Sequence, residues 1–303
     1  MKQASWIGEK LGCPASASSD SGGGNRIEQQ TRSRLSDEQI ARLNPYEFMS
    51  ILGKRVIHPG GRRSTEELFQ LAEFRPEHRV LEVGCGVGTT AVEIATRFGC
   101  HVTAVDIDPR MVARTEEAAR EARVESRVRV READIQALPF TDDSFDRVVI
   151  EAVTIFADRP QAAREVTRVC RPGGRVLEHE FIYAKPPTPE IRQLEDEVCG
   201  GARFDTVQGW GRLYEAAGLR DIKVREGPFA MMTLRGMLRD EGIANTLRMM
   251  LRILLRRAYR RKMMGFMSRM GRATPYLGYV VLVGTKEAPG GDCEPAAALR
   301  NAI

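Results

Sequence analysis

No run of 18 or more apolar residues interrupts this 303-residue chain, and at 42% hydrophobic content it carries no candidate transmembrane helix. The N-terminal residues lack the continuous apolar stretch of a secretory signal. Cysteine is sparse and dispersed, at Cys13, Cys85, Cys100, Cys170, Cys199 and Cys293, and no two form a Cys-x-x-Cys pair. That spacing points to neither a zinc site nor a disulfide framework; reduced thiols in a cytoplasmic protein are the simplest expectation. There are only four histidines, none in paired spacing, so no metal centre is expected. The length and apolar content are enough for one large core, or for a core with an added cap.

The net charge of +5 conceals an uneven distribution. Residues 230–272 hold eleven Arg and Lys against two acids, so the rest of the chain is net negative. The same stretch holds nine of the twelve methionines. Arg248, Arg252, Arg256 and Arg260 recur every fourth residue and would share a helical face. Leu247, Met250, Leu251, Leu254, Leu255 and Ala258 form a second stripe at helical spacing. Three uses suit such a segment: a solvated basic face over a packed helix, an interfacial helix touching anionic membrane, or a nucleic-acid surface. Nucleic acid is the least favoured, because only Tyr259 and Phe266 could stack on bases. The methionines are adaptable enough to line the entrance for a large apolar acceptor.

The most specific segment is Val80-Leu81-Glu82-Val83-Gly84-Cys85-Gly86-Val87-Gly88-Thr89-Thr90. An apolar strand pattern runs into three alternating glycines and then into a helical pattern. Glycine lets a ligand approach the backbone, and the first helix amides face it. A dinucleotide fingerprint would want Gly-x-Gly-x-x-Gly, and Thr89 stands where its third glycine would be. Glu82 could accept from a ligand ammonium. A second strand pattern ends in Asp106, 22 residues after Gly84, where a carboxylate can take both ribose hydroxyls. A third ends in Asp134, which could accept from the adenine amine or simply cap the next segment. Three acids at three strand ends suit a cationic adenosine cofactor.

Residues from about 75 to 183 resemble a class I S-adenosylmethionine-dependent methyltransferase. The motifs are LEVGCGVG, AVDID, EADIQALPF, SFDRVVIEAV and RPGGRVLEHEF, in the family's order and spacing. The resemblance implies S-adenosyl-L-methionine as cofactor, with Glu82, Gly84, Cys85, Gly86 and Gly88 around its methionine end. It further implies Asp106 on the ribose, Ile107 against the adenine, and Asp134 with Ile135 at the adenine edge. Cys85 reads as a small filler rather than a nucleophile.

Strand and helix patterns alternate through the core, as in a parallel sheet covered on both faces. Strands are expected near 79–83, 101–106, 127–132, 145–150, 175–181, 219–226 and 278–285. Helices are expected near 64–73, 88–98, 109–122, 159–170 and 206–217. Ser64 with Glu67 reads as a capping box, and Arg171-Pro172-Gly173-Gly174 as a turn. The expected fold is therefore α/β, a Rossmann-like seven-stranded and mostly parallel sheet with an N-terminal lid and a C-terminal helical insertion. Residues 1–34 read as a disordered tail, 35–287 as the methyltransferase domain and 288–303 as a loose tail. Within the domain, 36–63 is the lid, 64–227 the core, 230–272 the basic Met-rich cap and 276–286 the last strand. Tyr183–Glu190 is a stiff, proline-rich connector that could wall the acceptor pocket, with Pro189 opening a helix over 190–199.

Methyl transfer needs the acceptor's nucleophile in line with the methyl–sulfur bond, and a base only if the acceptor arrives protonated. The candidates are Glu151 after the fourth strand, which could also touch the cofactor, His179 near the end of the fifth, and His58 from the lid. Glu180 neighbours His179 but faces the opposite way along a strand. The leading expectation is methylation of a small or lipid-like apolar acceptor, with possible peripheral contact with anionic membrane. The alternatives are an RNA or protein methyltransferase, or a non-catalytic protein that keeps the cofactor pocket. No Asn/Asp-Pro-Pro-Tyr/Phe motif follows the fourth strand, where Glu151-Ala152-Val153-Thr154 stands instead, which disfavours an amino-acceptor nucleic-acid enzyme.

Overall fold

The computed structural model describes residues 35–193 and 202–288. The expectations for the 1–34 tail, for most of the 190–199 helix and for nearly all of the C-terminal tail lie outside the described residues.

Two short helices come first. Ser36 caps α1 (Asp37–Arg42) and Asn44 caps α2 (Pro45–Leu52), each in a reciprocal capping box with the residue three positions on. Then follow α3 (Arg62–Ala72), β1 (Arg79–Val83), α4 (Thr89–Phe98), β2 (His101–Asp106), α5 (Pro109–Glu121), β3 (Val128–Glu132) and β4 (Phe145–Glu151). A single 3-10 turn, Thr154–Phe156, leads to α6 (Arg159–Val169), β5 (Cys170–Tyr183), α7 (Val207–Ala216) and β6 (Leu219–Pro228). The chain closes with α8 (Leu234–Leu255), α9 (Arg257–Ala273) and β7 (Leu277–Lys286).

The seven strands form one sheet in the order β3-β2-β1-β4-β5-β7-β6. The pairs among β1 to β5 are parallel, while β7 runs antiparallel to both β5 and β6. The order reverses at β1 and β4, so the crevice of this open sheet lies beyond the carboxyl ends of those strands. The apolar residues split into two buried clusters, one holding Leu81, Val148 and Val280, the other Val80, Val149 and Val281. Alternate residues of each central strand therefore serve opposite faces, as a sheet covered on both sides requires.

Three local expectations are corrected. Ser64 is not a helix cap: α3 begins two residues earlier behind Gly61 with no side-chain cap, and the Ser64 hydroxyl donates to the Gly61 carbonyl. Arg171–Gly174 is not a separate turn, because strand pairing begins at Cys170 and absorbs it through a register irregularity against Phe145 and Arg147. The four arginines from 248 to 260 do not share one continuous face. The chain is extended at Arg256, which separates α8 from α9, and α8 itself breaks at Gly242 (φ 75°, ψ 166°).

Candidate functional site

A cavity of about 840 Å³ opens beyond β1, β2 and β4. That is within the usual range for ligand pockets. The glycine loop forms one wall. Gly84 has φ 76°, and a Cβ there would sit 2.1 Å from Val153 Cγ2, so the position needs glycine for both conformation and space. A Cβ built on Gly86 meets nothing within 4 Å, which leaves that stretch of backbone open to a ligand. Cys85 is buried and its thiol is pushed up by burial, followed by the charge of Glu82; Thr115 donates to its sulfur at 3.3 Å.

Glu82 is buried on the cavity wall, and its Oε2 has no hydrogen-bond partner among the described residues. Burial first, then the charges of Glu151 and Asp106, drive its carboxyl well above the usual range. A buried acid with a vacant acceptor oxygen is matched to a cationic ligand group, which would restore its ionisation. Asp106 accepts from the Gly86 amide and from the Asp108 amide, both at 2.9 Å. It ties the loop to the end of β2, and each oxygen keeps a further lone pair for a hydroxyl. Ile107 beside it lines the cavity with 41% of its surface exposed, an apolar platform. Asp134 and Ile135 also line the cavity; Asp134 caps its own turn by accepting from the Gln136 amide at 2.9 Å, so its bonding includes the capping use anticipated for it. The donor set therefore fits a sulfonium nucleoside with an amino-acid tail: an orphaned carboxylate for the ammonium, an open glycine backbone, an acid for the ribose and an apolar shelf for the base.

The three base candidates, drawn from positions 58, 151 and 179, meet at one point. His179 Nδ1 lies 3.0 Å from Glu151 Oε2, and His58 Nε2 lies 3.7 Å from the same oxygen. The two imidazoles stand edge to face, 4.6 Å between ring centres. Two residues not anticipated complete the cluster. Thr65 Oγ1 donates to Glu151 Oε2 at 2.9 Å, and Thr90 Oγ1 donates to Oε1 at 2.8 Å. Burial alone would raise the Glu151 carboxyl, but the two imidazoles and the Thr90 hydroxyl outweigh it and hold the group low. Burial pushes His58 down to about 3, against the opposing charge of Glu151, so its ring is neutral.

These contacts fix the tautomers. Thr65 spends its proton on Glu151, so its oxygen accepts from His58 Nε2–H at 3.2 Å. His58 Nδ1 is then a bare lone pair, buried without a partner. His179 donates Nδ1–H to Glu151, which leaves its Nε2 bare as well. His58, Thr65, Thr90 and Glu151 line the cavity; His179 does not. One ligand atom from each of His58, Glu151 and His179 lies within 4.8 Å of the others, a set that could also hold a divalent ion. Glu180 faces away, accepting from the Ile155 amide at 3.2 Å.

The N-terminal segment supplies the remaining wall, with Tyr46 and Ile51 from α2 and Leu35, Leu43 and Ile57 from the stretches around the two helices, joined by Phe156. Tyr46 and Phe156 meet edge to face at 5.1 Å. Neither the Met-rich cap nor the described part of the proline-rich connector contributes a residue to the lining of this cavity. The cap acts indirectly. Pro59 O accepts from the Ala230 and Met231 amides, and Glu241 accepts from the Arg55 and Val56 amides, so α8 and the turn before it clamp the strap that delivers His58.

A sequence model described as a methyltransferase domain matches residues 80–174. An uncharacterised protein of Haemophilus influenzae is 30% identical over 207 residues, 67% of this chain and 82% of that one. The methyltransferase GfsG of Streptomyces halstedii is 39% identical over 163 residues, 54% of each chain. Among solved structures, a phosphoethanolamine N-methyltransferase 2 of Haemonchus contortus, in complex with phosphomonomethylethanolamine and S-adenosylhomocysteine, superposes with a TM-score of 0.65 at 21% identity. That match covers 85% of this chain and 59% of that one. The chain thus spans a little over half the length of the last two.

Proposed function

We infer the reaction from one premise: the chain belongs to the class I S-adenosylmethionine-dependent methyltransferases, and its acceptor is a small or lipid-like apolar molecule that arrives protonated. The observation that carries this reading is a neutral, buried His58 on a cavity wall that also holds Leu35, Leu43, Tyr46, Ile51, Ile57 and Phe156. An apolar wall selects by exclusion of water and shape, and a bare imidazole nitrogen supplies the one proton acceptor such a substrate needs.

S-adenosyl-L-methionine supplies an electrophilic methyl group on a sulfonium. Glu82 would hold its ammonium, the Gly84–Gly88 backbone its carboxylate end, Asp106 its ribose, and Ile107 with Ile135 its base. The acceptor's nucleophile would take the methyl, the carbon–sulfur electron pair would stay on sulfur, and the His58–Glu151 pair on the cavity wall would receive the proton. The charge that His58 then carries is stabilised by Glu151 through Thr65, while His179 and Thr90 keep that carboxylate ionised and in place. His179 acts through Glu151 and is a positioning residue. A peripheral position at an anionic membrane suits an apolar acceptor.

The test is transfer of a radiolabelled methyl from the cofactor to an apolar lipid extract, with product counted in the organic phase. Label in the organic phase, lost in His58→Asn, is the expected result. Label found only in added RNA or protein would sink the acceptor class, and no label anywhere with intact cofactor binding would favour the non-catalytic alternative.

A further inference from the structure

We propose that α8 and α9 form a docking face for an anionic lipid bilayer, an inference that goes beyond the methyl-transfer reading and does not depend on it. The sequence alone left open whether the apolar stripe of this segment packs inward. It does not. Ile243, Leu247, Met250, Leu251 and Leu254 follow one another at helical spacing along α8 and are all exposed, Leu247 at 59% and Leu254 at 61%. Leu255, at the break between the helices, is 77% exposed, and Met264 and Met267 continue the apolar surface onto α9. Single exposed leucines need no explanation, but a contiguous row of them does.

The opposite side of α8 is the one committed to the protein. Met249 and Thr246 are buried, Asn245 donates to the Gly53 carbonyl, and Arg252 donates to the Leu52 carbonyl. Arg256 reaches the Leu35 carbonyl, and Lys262 donates to the carbonyls of Ala41 and Leu43. Asn245, Arg252, Arg256 and Lys262 are thus spent on carbonyls between Leu35 and Gly53, Thr246 donates to the Met237 carbonyl within α8, and the apolar row is left outward.

Charge identifies the occupant. Arg235, Arg248, Arg257, Arg260, Arg261, Arg269 and Arg272 are exposed around the row. The only two acids of residues 230–272 are buried: Asp240 accepts from the Arg62 amide, and Glu241 is committed to Lys54, Arg55 and Val56. Residues 230–272 therefore expose an apolar stripe in a cationic field with no exposed anion of their own, Asp37 of α1 being paired with Arg256 at the margin, the pattern of a helix lying at a phospholipid headgroup layer. Two copies meeting through this face would bring arginine against arginine. A nucleic acid would engage the arginines and leave the leucines unused. No helix among the described residues is long and apolar enough to cross a membrane, so the contact is peripheral.

The test is co-sedimentation of the full chain with vesicles of phosphatidylcholine alone and of phosphatidylcholine mixed with phosphatidylserine, at low and high salt. We expect pelleting that needs phosphatidylserine and weakens with salt. Leu251→Ser/Leu254→Ser/Leu255→Ser should lose on the order of tenfold or more in vesicle affinity. Arg257→Gln/Arg261→Gln/Arg272→Gln should lose a comparable factor on phosphatidylserine vesicles only. Both variants should bind S-adenosylmethionine as the parent does, which separates this result from any failure of the methyl-transfer reading. The proposal is overturned if the parent pellets with neither vesicle. It is equally overturned if light scattering shows a dimer that the leucine variant dissolves without any vesicle binding, or if RNA is retained equally by the parent and the leucine variant while vesicles are not.

Discussion

Substituting Glu82 by Gln tests the cofactor assignment where it is most exposed to failure. The carboxylate is buried, its Oε2 is unpaired, and burial followed by the charges of Glu151 and Asp106 keeps a proton on it above the usual carboxylate range. Binding of an ammonium should draw out that proton and create a charge-assisted hydrogen bond. Such a bond contributes about 1.5–3 kcal/mol, so Glu82→Gln should weaken S-adenosylhomocysteine binding by roughly 10- to 150-fold. The same substitution should leave methylthioadenosine, which has no amino-acid tail, bound as before. The sign of the pH dependence follows from linkage. Glu82 binds a proton in the free protein and none in the complex, so affinity should rise with pH through its titration, by up to tenfold per unit. Calorimetry in buffers of different ionisation enthalpy would count the released proton, and Glu82→Gln should abolish the release. If the variant binds S-adenosylhomocysteine as well as the parent and releases the same protons, Glu82 does not meet the ammonium and the donor-set argument fails.

Five further outcomes are expected. Asp106→Ala should cost about 1–3 kcal/mol of cofactor binding by calorimetry, since it loses the ribose acceptor and frees the Gly86 amide together. His58→Asn should lower kcat by about 10²–10⁴ with little change in cofactor affinity, and Thr65→Val, which cuts the link to Glu151, should move the kcat–pH profile while leaving KM near the parent's. Turnover should survive exhaustive chelation: a metal on His58 Nε2 and His179 Nδ1 would turn the buried opposite nitrogens into N–H donors without acceptors, whereas the hydrogen-bonded arrangement leaves them as lone pairs. Gly88→Ala should lower stability by about 1–3 kcal/mol in urea, because φ is 81° and the new Cβ would sit 2.9 Å from the Thr115 backbone.

The sheet was legible because its signals are local. Alternating apolar strands ended by Gly, Pro or acid fixed all seven strands to within a few residues, and Gly99 and Pro109 bounded their helices as their backbone preferences demand. The acids of the cavity wall stand out for the same reason, since Glu82 lies in β1, Asp106 ends β2 and Asp134 comes just after β3. The base cluster was legible only as separate candidates. His58, Glu151 and His179 lie 93 and 28 residues apart (151 − 58 and 179 − 151), and nothing in their spacing says that α3 brings Thr65 over the end of β4. The threonines went unremarked because a hydroxyl in the first turn of a helix reads as a helix starter. The use of the cap stays open in the sequence because period alone cannot tell which of two stripes is buried. Arginine read as the wet face, yet Arg252 and Arg256 turn inward to spare backbone carbonyls while the leucines face out.

A buried acid pair beneath the site yields a prediction that follows from β5 alone. Glu178 and Glu180 lie on the face opposite His179, and both are fully buried. Burial first, then their mutual charge, raises Glu178 well above the carboxylate range, although Tyr214 and Thr154 donate to it. Burial carries Glu180 up to about 8, against the backbone amides that it accepts from. An unfolded chain would release these protons near the ordinary value of 4.5, whereas the folded one keeps them. At these two positions the native state therefore binds more protons than the unfolded state between those limits, and their contribution to stability should fall as pH rises from about 4.5 to 8. Each retained proton contributes a slope of about 1.4 kcal/mol per pH unit. Glu180→Gln preserves the acceptor for Ile155 and removes the titration, so it should flatten the pH dependence of the urea midpoint and raise stability most at the alkaline end. If the urea midpoints of the parent and Glu180→Gln shift alike with pH through this range, Glu180 is ionised inside the fold, with a cation holding it that the hydrogen bonds do not reveal.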